Sequence, residues 1–177
     1  MGKVNYYSGV GSRKTPEGIQ KLMRTVSRLY CNSGWVLRSG GAGGADSAFE
    51  SNAGDLKEIY KADVYKSVDK LVYERAKVIA AQYHPTWIKL PEYVKKLHAR
   101  NVFQILGKDL RSPSNVVICW TPDGCINHFD RTVNTGGTGT AISVAYFSQV
   151  PIINLARTDH LWLVDNFIKA CIGGTNV

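Results

Sequence analysis

The feature that most constrains the fold of this sequence is a juxtaposition that recurs three times. A short apolar, β-prone run is followed by a cluster of small residues and then by apolar residues at helical spacing. Val4-Asn5-Tyr6-Tyr7 ends at Ser8-Gly9-Val10-Gly11-Ser12, and Trp35-Val36-Leu37 ends at Ser39-Gly40-Gly41-Ala42-Gly43-Gly44. Val116-Val117-Ile118-Cys119-Trp120 leads, through a polar loop over 121–135, to Gly136-Gly137-Thr138-Gly139-Thr140. Strands apolar on both faces, alternating with helices, belong in a parallel sheet covered by helices.

The remaining periodicities complete this pattern. Thr15 then Pro16 reads as an N-cap with proline at the first helical position. Ile19, Leu22, Met23, Val26, Leu29 and Tyr30 follow at helical spacing, and Gly34 ends the run. Further helices are expected over 45–53, 68–83 (broken by His84-Pro85), 91–106, 141–146 and 159–171, with strands over 58–60 and 151–155. The expected fold class is α/β: a single Rossmann-like, doubly wound domain over 1–177, with a mainly parallel sheet flanked by helices.

Composition agrees with that expectation and narrows the function. A chain of 177 residues with 44% hydrophobic and 20% charged residues can form one full core, and it lacks the profile of disorder. No apolar stretch approaches the roughly 18 residues of a membrane span, and no signal-peptide core follows Met1, so no membrane partner is expected. Tyr6 occupies the position where a myristoylation pattern wants Ser or Thr. Four cysteines without a CxxC suit free thiols in a cytoplasmic chain. Cys119, Cys125 and His128 match no zinc spacing, so neither metal nor cofactor is expected. The formal net charge is +8. Residues 57–111 hold 12 basic and 6 acidic residues, a net of +6, whereas residues 112–177 hold 3 and 4, a net of −1. A basic block in the middle of the chain suits a polyanion as well as a solvated surface.

In an open parallel sheet the three small-residue turns share the carboxyl edge, where ligands bind. Glycine admits close backbone approach, and the following helix N-terminus favours phosphate. Neither nucleotide fingerprint is present: no turn carries Gly-Lys-Ser/Thr, and Gly9-x-Gly11 is followed by Lys14 where the dinucleotide pattern needs glycine. Several side chains keep two readings. Arg13 is a bidentate phosphate ligand or a surface arginine. Asp46 is a ribose ligand or a helix cap. Ser39, Thr138 and Thr140 are phosphate donors or caps. Trp120 lines a base pocket or covers the sheet. His84 and His98 are pocket members or, the better reading, structural histidines, and Arg100 and Asn101, taken alone, read as solvated helix residues.

Taken in order, Ser8-Gly9-Val10-Gly11-Ser12-Arg13, Ser39-Gly40-Gly41-Ala42-Gly43-Gly44-Ala45-Asp46, Arg100-Asn101 and Gly136-Gly137-Thr138-Gly139-Thr140 resemble the SLOG superfamily of Rossmann-like nucleotide binders. That group joins DNA-processing protein A, a recombination mediator, with the Lonely-guy phosphoribohydrolases, and small phage-encoded proteins similar to DNA-processing protein A are the nearest likeness. The resemblance covers roughly residues 4–156. It implies a pocket role for Arg100 and Asn101. It also implies a homo-oligomer and a cytoplasmic setting, the host cytoplasm for a phage-encoded chain. The Lonely-guy motif PGGxGTxxE is matched at Gly136, Gly137, Gly139 and Thr140, but Thr135 replaces its proline and Ser143 its catalytic Glu. Arg100 aligns with that family's arginine, while Gln104 replaces the methionine. A hydroxyl cannot supply the lost carboxylate charge.

The leading expectation is therefore a protein that binds a nucleotide or nucleotide-derived small molecule. Gly9, Gly11, Ser12, Arg13, Ser39, Gly41, Gly43, Gly44, Gly136, Gly137, Thr138, Gly139 and Thr140 would hold phosphate or ribose. Asp46, Arg100, Asn101 and Trp120 would add specific contacts. A first alternative is a nucleotide N-glycosidase of the phosphoribohydrolase type, with Asp46 or Glu50 as the acid and Arg100 as the phosphate anchor. A second is a single-stranded DNA-binding recombination mediator. In that reading the basic block is interleaved with Tyr60, Tyr65, Tyr73, Tyr83, Trp87 and Tyr93, which would stack on bases, although Tyr83 lies on an apolar helix stripe that favours the core.

Overall fold

In the computed structural model, which describes residues 4–173, the β-prone runs become the strands of one sheet. These are β1 (Tyr6–Gly11), β2 (Val36–Ser39), β3 (Lys57–Ile59), β4 (Val116–Trp120) and β5 (Ile152–Asn154). All pairs are parallel, and the order across the sheet is β3-β2-β1-β4-β5. The chain therefore winds outward from β1 to β3, crosses back, and lays β4 and β5 on the other side of β1. This is the Rossmann-like α/β fold that the alternation of strands and helices predicts. The reversal of winding falls between β1 and β4, the place where open α/β sheets bind ligands.

Six α-helices among the described residues cover the sheet: α1 (Glu17–Asn32), α2 (Ala45–Glu50), α3 (Lys70–Tyr83), α4 (Glu92–Leu106), α5 (Gly139–Phe147) and α6 (Thr158–Gly173). One face packs Tyr7, Leu37 and Ile118 against Met23 and Val26 of α1, Ala48 and Phe49 of α2 and Val164 of α6. The other packs Val10, Val117 and Cys119 against Ala76 and Ala80 of α3, Val102 and Phe103 of α4, and Ile142 and Ala145 of α5. Successive strand side chains thus enter opposite cores, which is why the strands read as apolar throughout. No described helix is long and apolar enough to cross a membrane.

Local sequence rules explain most boundaries, and tertiary pairing explains the exceptions. The Asp69 carboxylate accepts from the Leu71 and Val72 N–H groups at 2.8 and 3.3 Å, so α3 starts at Lys70 rather than Val68. Pro16 occupies the N-cap of α1, and Thr15, expected to cap, instead donates its hydroxyl to Ser12 O at 2.7 Å. The largest revision concerns β1. The stretch read as a turn, Ser8 to Gly11, is strand, because register with β4 continues to the pair Gly11↔Trp120.

Candidate functional site

The carboxyl end of β1 opens onto a cavity of about 370 Å³. Its walls come from three loops and one helix. The β1–α1 loop contributes Gly11, Ser12, Arg13 and Lys14. The β2–α2 region contributes Ala42 and Asp46, and the segment before α5 contributes Asn134 to Thr138. Helix α4 supplies Val94, Leu97, His98, Arg100, Asn101 and Gln104 along one side. The size is at the lower end of small-molecule sites.

Two adjacent residues of α4 tie the loops together. Arg100 Nη1 donates to Gly40 O, and Asn101 Nδ2 donates to Gly137 O at 2.9 Å. Asp46 sits in the first turn of α2 and is 3% exposed. Its carboxylate accepts from the Ala42 backbone N–H at 3.3 Å, and the backbone N–H groups of Gly40 and Gly11 help to hold its charge. Burial pushes Asp46 up to about 6, against the nearby charge of Arg100 and these N–H donors. Burial likewise lowers Arg100, while Asp46 opposes that shift. The third loop is stiffened from below. Asp123 accepts from Thr132 Oγ1 at 2.7 Å and from Thr135 Oγ1, and Thr135 closes a capping box with Thr132. Gly136, at φ 59°, turns the chain into α5, a conformation that strongly favours glycine.

His98 forms part of the wall, and its Nδ1 shares a 2.7 Å hydrogen bond with Thr140 Oγ1. Burial, with help from His84 and Arg100, pushes it down to about 4, so the ring is neutral near physiological pH. Asp46 is the one acidic side chain among the lining residues. Arg13 and Lys14 are exposed at the rim.

The structure brings Gly11, Ser12, Arg13, Asp46, Arg100, Asn101, Gly136, Gly137 and Thr138 to this one cavity. It does not bring the other candidates there, for identifiable reasons. Gly9 lies inside β1, where any Cβ would meet Phe49 at 2.5 Å. Ser39 donates its hydroxyl to Gly9 O at 2.6 Å. Gly44 is pressed against the backbone of Ser12 and Arg13, Gly41 packs beside Ile59, and Gly43 faces open space. Gly139 abuts Arg131, and Thr140 is occupied by His98. Trp120 packs on the opposite core with the α1, α2 and α6 side chains. Glu50 lies at the far end of α2 and pairs with Lys57 at 3.6 Å. Ser143 donates to Gly139 O at 2.8 Å.

The basic block is also partly committed: Lys57, Lys66, Lys77 and Lys95 pair with neighbouring carboxylates. Of the interleaved rings, Tyr60 and Tyr73 are core residues and Tyr83 stacks on Phe147, whereas Tyr65 and Tyr93 stay open. No group of three or more His, Cys, Asp and Glu side chains that could hold a metal occurs among the described residues.

Sequence reasoning missed Lys14, Ala42, Val94, Leu97 and Gln104 and treated His98 as structural. The signal was present on α4. Val94, Leu97, His98 and Asn101 are spaced by three and four and so share a helix face with a residue already suspected.

No protein-family model matches this chain, and no curated protein matches it either. Among solved structures it is similar to DNA processing protein A from Helicobacter pylori, described for its single-stranded DNA binding mode. The TM-score is 0.56 at 19% sequence identity, over 96% of this chain and 81% of that one. At this identity the likeness is one of fold.

Proposed function

We propose that this chain binds a nucleotide or nucleotide-derived small molecule, one nucleotide unit in size, in the cavity at the carboxyl end of β1. The observation that carries this reading is Arg100. Its guanidinium lines the cavity, with Nη1 held by Gly40 O and Nη2 3.9 Å from Asp46 Oδ2, beyond hydrogen-bonding distance, so Nη2 is left for a ligand acceptor. The Gly136–Gly137 backbone and the rim cations Arg13 and Lys14 add to an anion receptor, while Val94 and Leu97 offer an apolar wall for a base. The SLOG resemblance, with its likeness to small phage-encoded proteins, supports the same reading, as does the placement of Arg100 beside Asn101. Phe129, Tyr146 and Phe147 form an exposed aromatic cluster that supports a homo-oligomer.

A second reading is that the same edge engages a single DNA strand. The fold likeness to DNA processing protein A favours it, and so does open Tyr93 beside Arg100. The phosphoribohydrolase reading has less support, because Glu50 is remote and Asp46 is already held by backbone donors.

Thermal melting with a panel of nucleotides, dinucleotides and cyclic nucleotides tests the first reading. A true ligand at a hundred times its Kd adds about 2.7 kcal/mol of stability, and Arg100→Ala removes that gain. No shift with any nucleotide refutes it. Anisotropy of a labelled oligothymidine across a salt series tests the second, which requires a steep loss of affinity with salt.

A further inference from the structure

The cavity contains an ion pair that is incomplete. Arg100 Nη2 stands 3.9 Å from Asp46 Oδ2, outside hydrogen-bonding distance. Nη1 is committed to Gly40 O, and Nε is buried with no partner. Asp46 takes its hydrogen bond from the Ala42 backbone N–H instead, at 3.3 Å. Nε is sealed from solvent, so Nη2 is the donor the guanidinium offers at the cavity wall, while the carboxylate relies on it for charge compensation alone. Resting on the nucleotide-binding reading, we infer that Arg100 exchanges its carboxylate neighbour for an oxyanion of the ligand, and that Asp46 takes up one proton from solvent in that exchange.

The exchange follows from what surrounds the two groups. Arg100 is the charged side chain that acts on Asp46. Arg13 of the β1–α1 loop and Tyr93 of α4 act on Arg100. His98 of α4 and Lys14 of the β1–α1 loop line the same cavity, and Glu50 of α2 is turned to Lys57. His98 is neutral well below neutral pH, so it does not contribute to proton uptake near pH 7. An oxyanion on Arg100 neutralises the cation that holds Asp46 down and places a second negative charge beside it. Two like charges in a buried site do not both stay ionised. Burial has already brought Asp46 up to about 6, so a further rise carries it through neutral pH.

Titration calorimetry with sodium sulfate as the probe tests this on the whole native chain. Sulfate remains a dianion across the near-neutral range, so any proton taken up comes onto the protein. Measured near pH 7 in buffers of different ionisation enthalpy, binding should take up close to one proton per sulfate. Sulfate affinity should rise as pH falls from about 8 to about 6, approaching tenfold per pH unit. Asp46→Asn should abolish both the buffer dependence and the pH dependence, and the native measurement stands by itself if that variant does not fold. Sulfate binding without proton uptake overturns the inference and leaves the nucleotide reading intact. Failure of sulfate to bind overturns it as well, whereas the nucleotide panel decides the broader reading independently.

Discussion

Gly9→Ala separates two roles that glycine plays in this chain. Gly9 belongs to a cluster that reads as a phosphate turn, yet it lies within β1 with its Cα facing the core. A Cβ there would stand 2.5 Å from Phe49 Cγ, 2.7 Å from Phe49 Cδ2 and 2.9 Å from Leu37 Cδ1. Carbon atoms need about 3.5–4.0 Å, so the phenyl ring must retreat by about 1 Å. It has nowhere to go: Phe49 and Leu37 are both 0% exposed, and the Phe49 ring meets Tyr7 edge-on at 6.3 Å. Overpacking of this kind typically costs about 1–3 kcal/mol, and the two blocked neighbours place Gly9→Ala in the upper half of that range. For a chain of this length each kcal/mol moves Tm by about 2–4 °C, so ligand-free calorimetry should show a fall of about 4–12 °C. Gly137→Ala is the control, because a Cβ at Gly137 meets nothing within 4 Å. It should leave Tm within about 1 °C while altering ligand affinity from the cavity wall. The reasoning fails if Gly9→Ala melts with the native chain, or if it abolishes ligand binding at unchanged stability.

Three further outcomes follow from the same geometry. His98, pushed down to about 4 by burial, binds its proton more readily in the unfolded chain. Its contribution is therefore present above pH 6.5 and lost as pH falls toward 4, up to about 3 kcal/mol. Asp46, raised to about 6, works in the opposite sense over the overlapping window, and stability is lost as pH rises through its folded pKa. Urea melts of His98→Gln against the native chain should therefore converge, or cross, as pH falls from 6.5 to 4, and parallel curves would exclude this account. Asn101→Ala leaves Gly137 O without its donor and should cost about 1 kcal/mol together with several-fold weaker nucleotide binding, measured by calorimetry; unchanged affinity would show that the loop holds its shape without it. Burial raises both the Cys119 and the Cys125 thiols, while Cys31 and Cys171 are half-buried. Iodoacetamide followed by peptide mass analysis should label Cys31 and Cys171 well before Cys119, and equal rates would contradict the packing.

The elements were largely legible in the sequence because their signals are local. Val116–Trp120 is five consecutive apolar residues and forms β4 with those bounds. Pro91 sits where a helix start suits a stiff turn, and α4 begins directly after it, whereas the Asp69 cap that starts α3 went unread. Glycine was harder to read. Gly9, Gly44 and Gly137 share one letter, yet the first yields to Phe49, the second to the Ser12–Arg13 backbone, and the third to open cavity. Those neighbours are distant in sequence, and no window around a glycine contains them.

What the sequence by itself determined is the class of fold and the edge of the sheet where a ligand would lie. Continuous apolar runs, helical stripes and small-residue turns require little beyond nearest-neighbour geometry. Only the tertiary structure decided which side chains meet at that edge. The chain crosses over from β3 to β4 by way of α3 and α4, and this crossing lays α4 over β2 and β1, where Gln104 O accepts from Ser8 Oγ. It thereby places Arg100 next to Asp46, 54 residues earlier in the chain, and Asn101 on Gly137. It also turns Trp120 and Ser39 away, into cores on the sheet faces. Strand order and crossover path depend on how two hydrophobic faces are jointly buried, which is a property of the whole sheet rather than of any local segment.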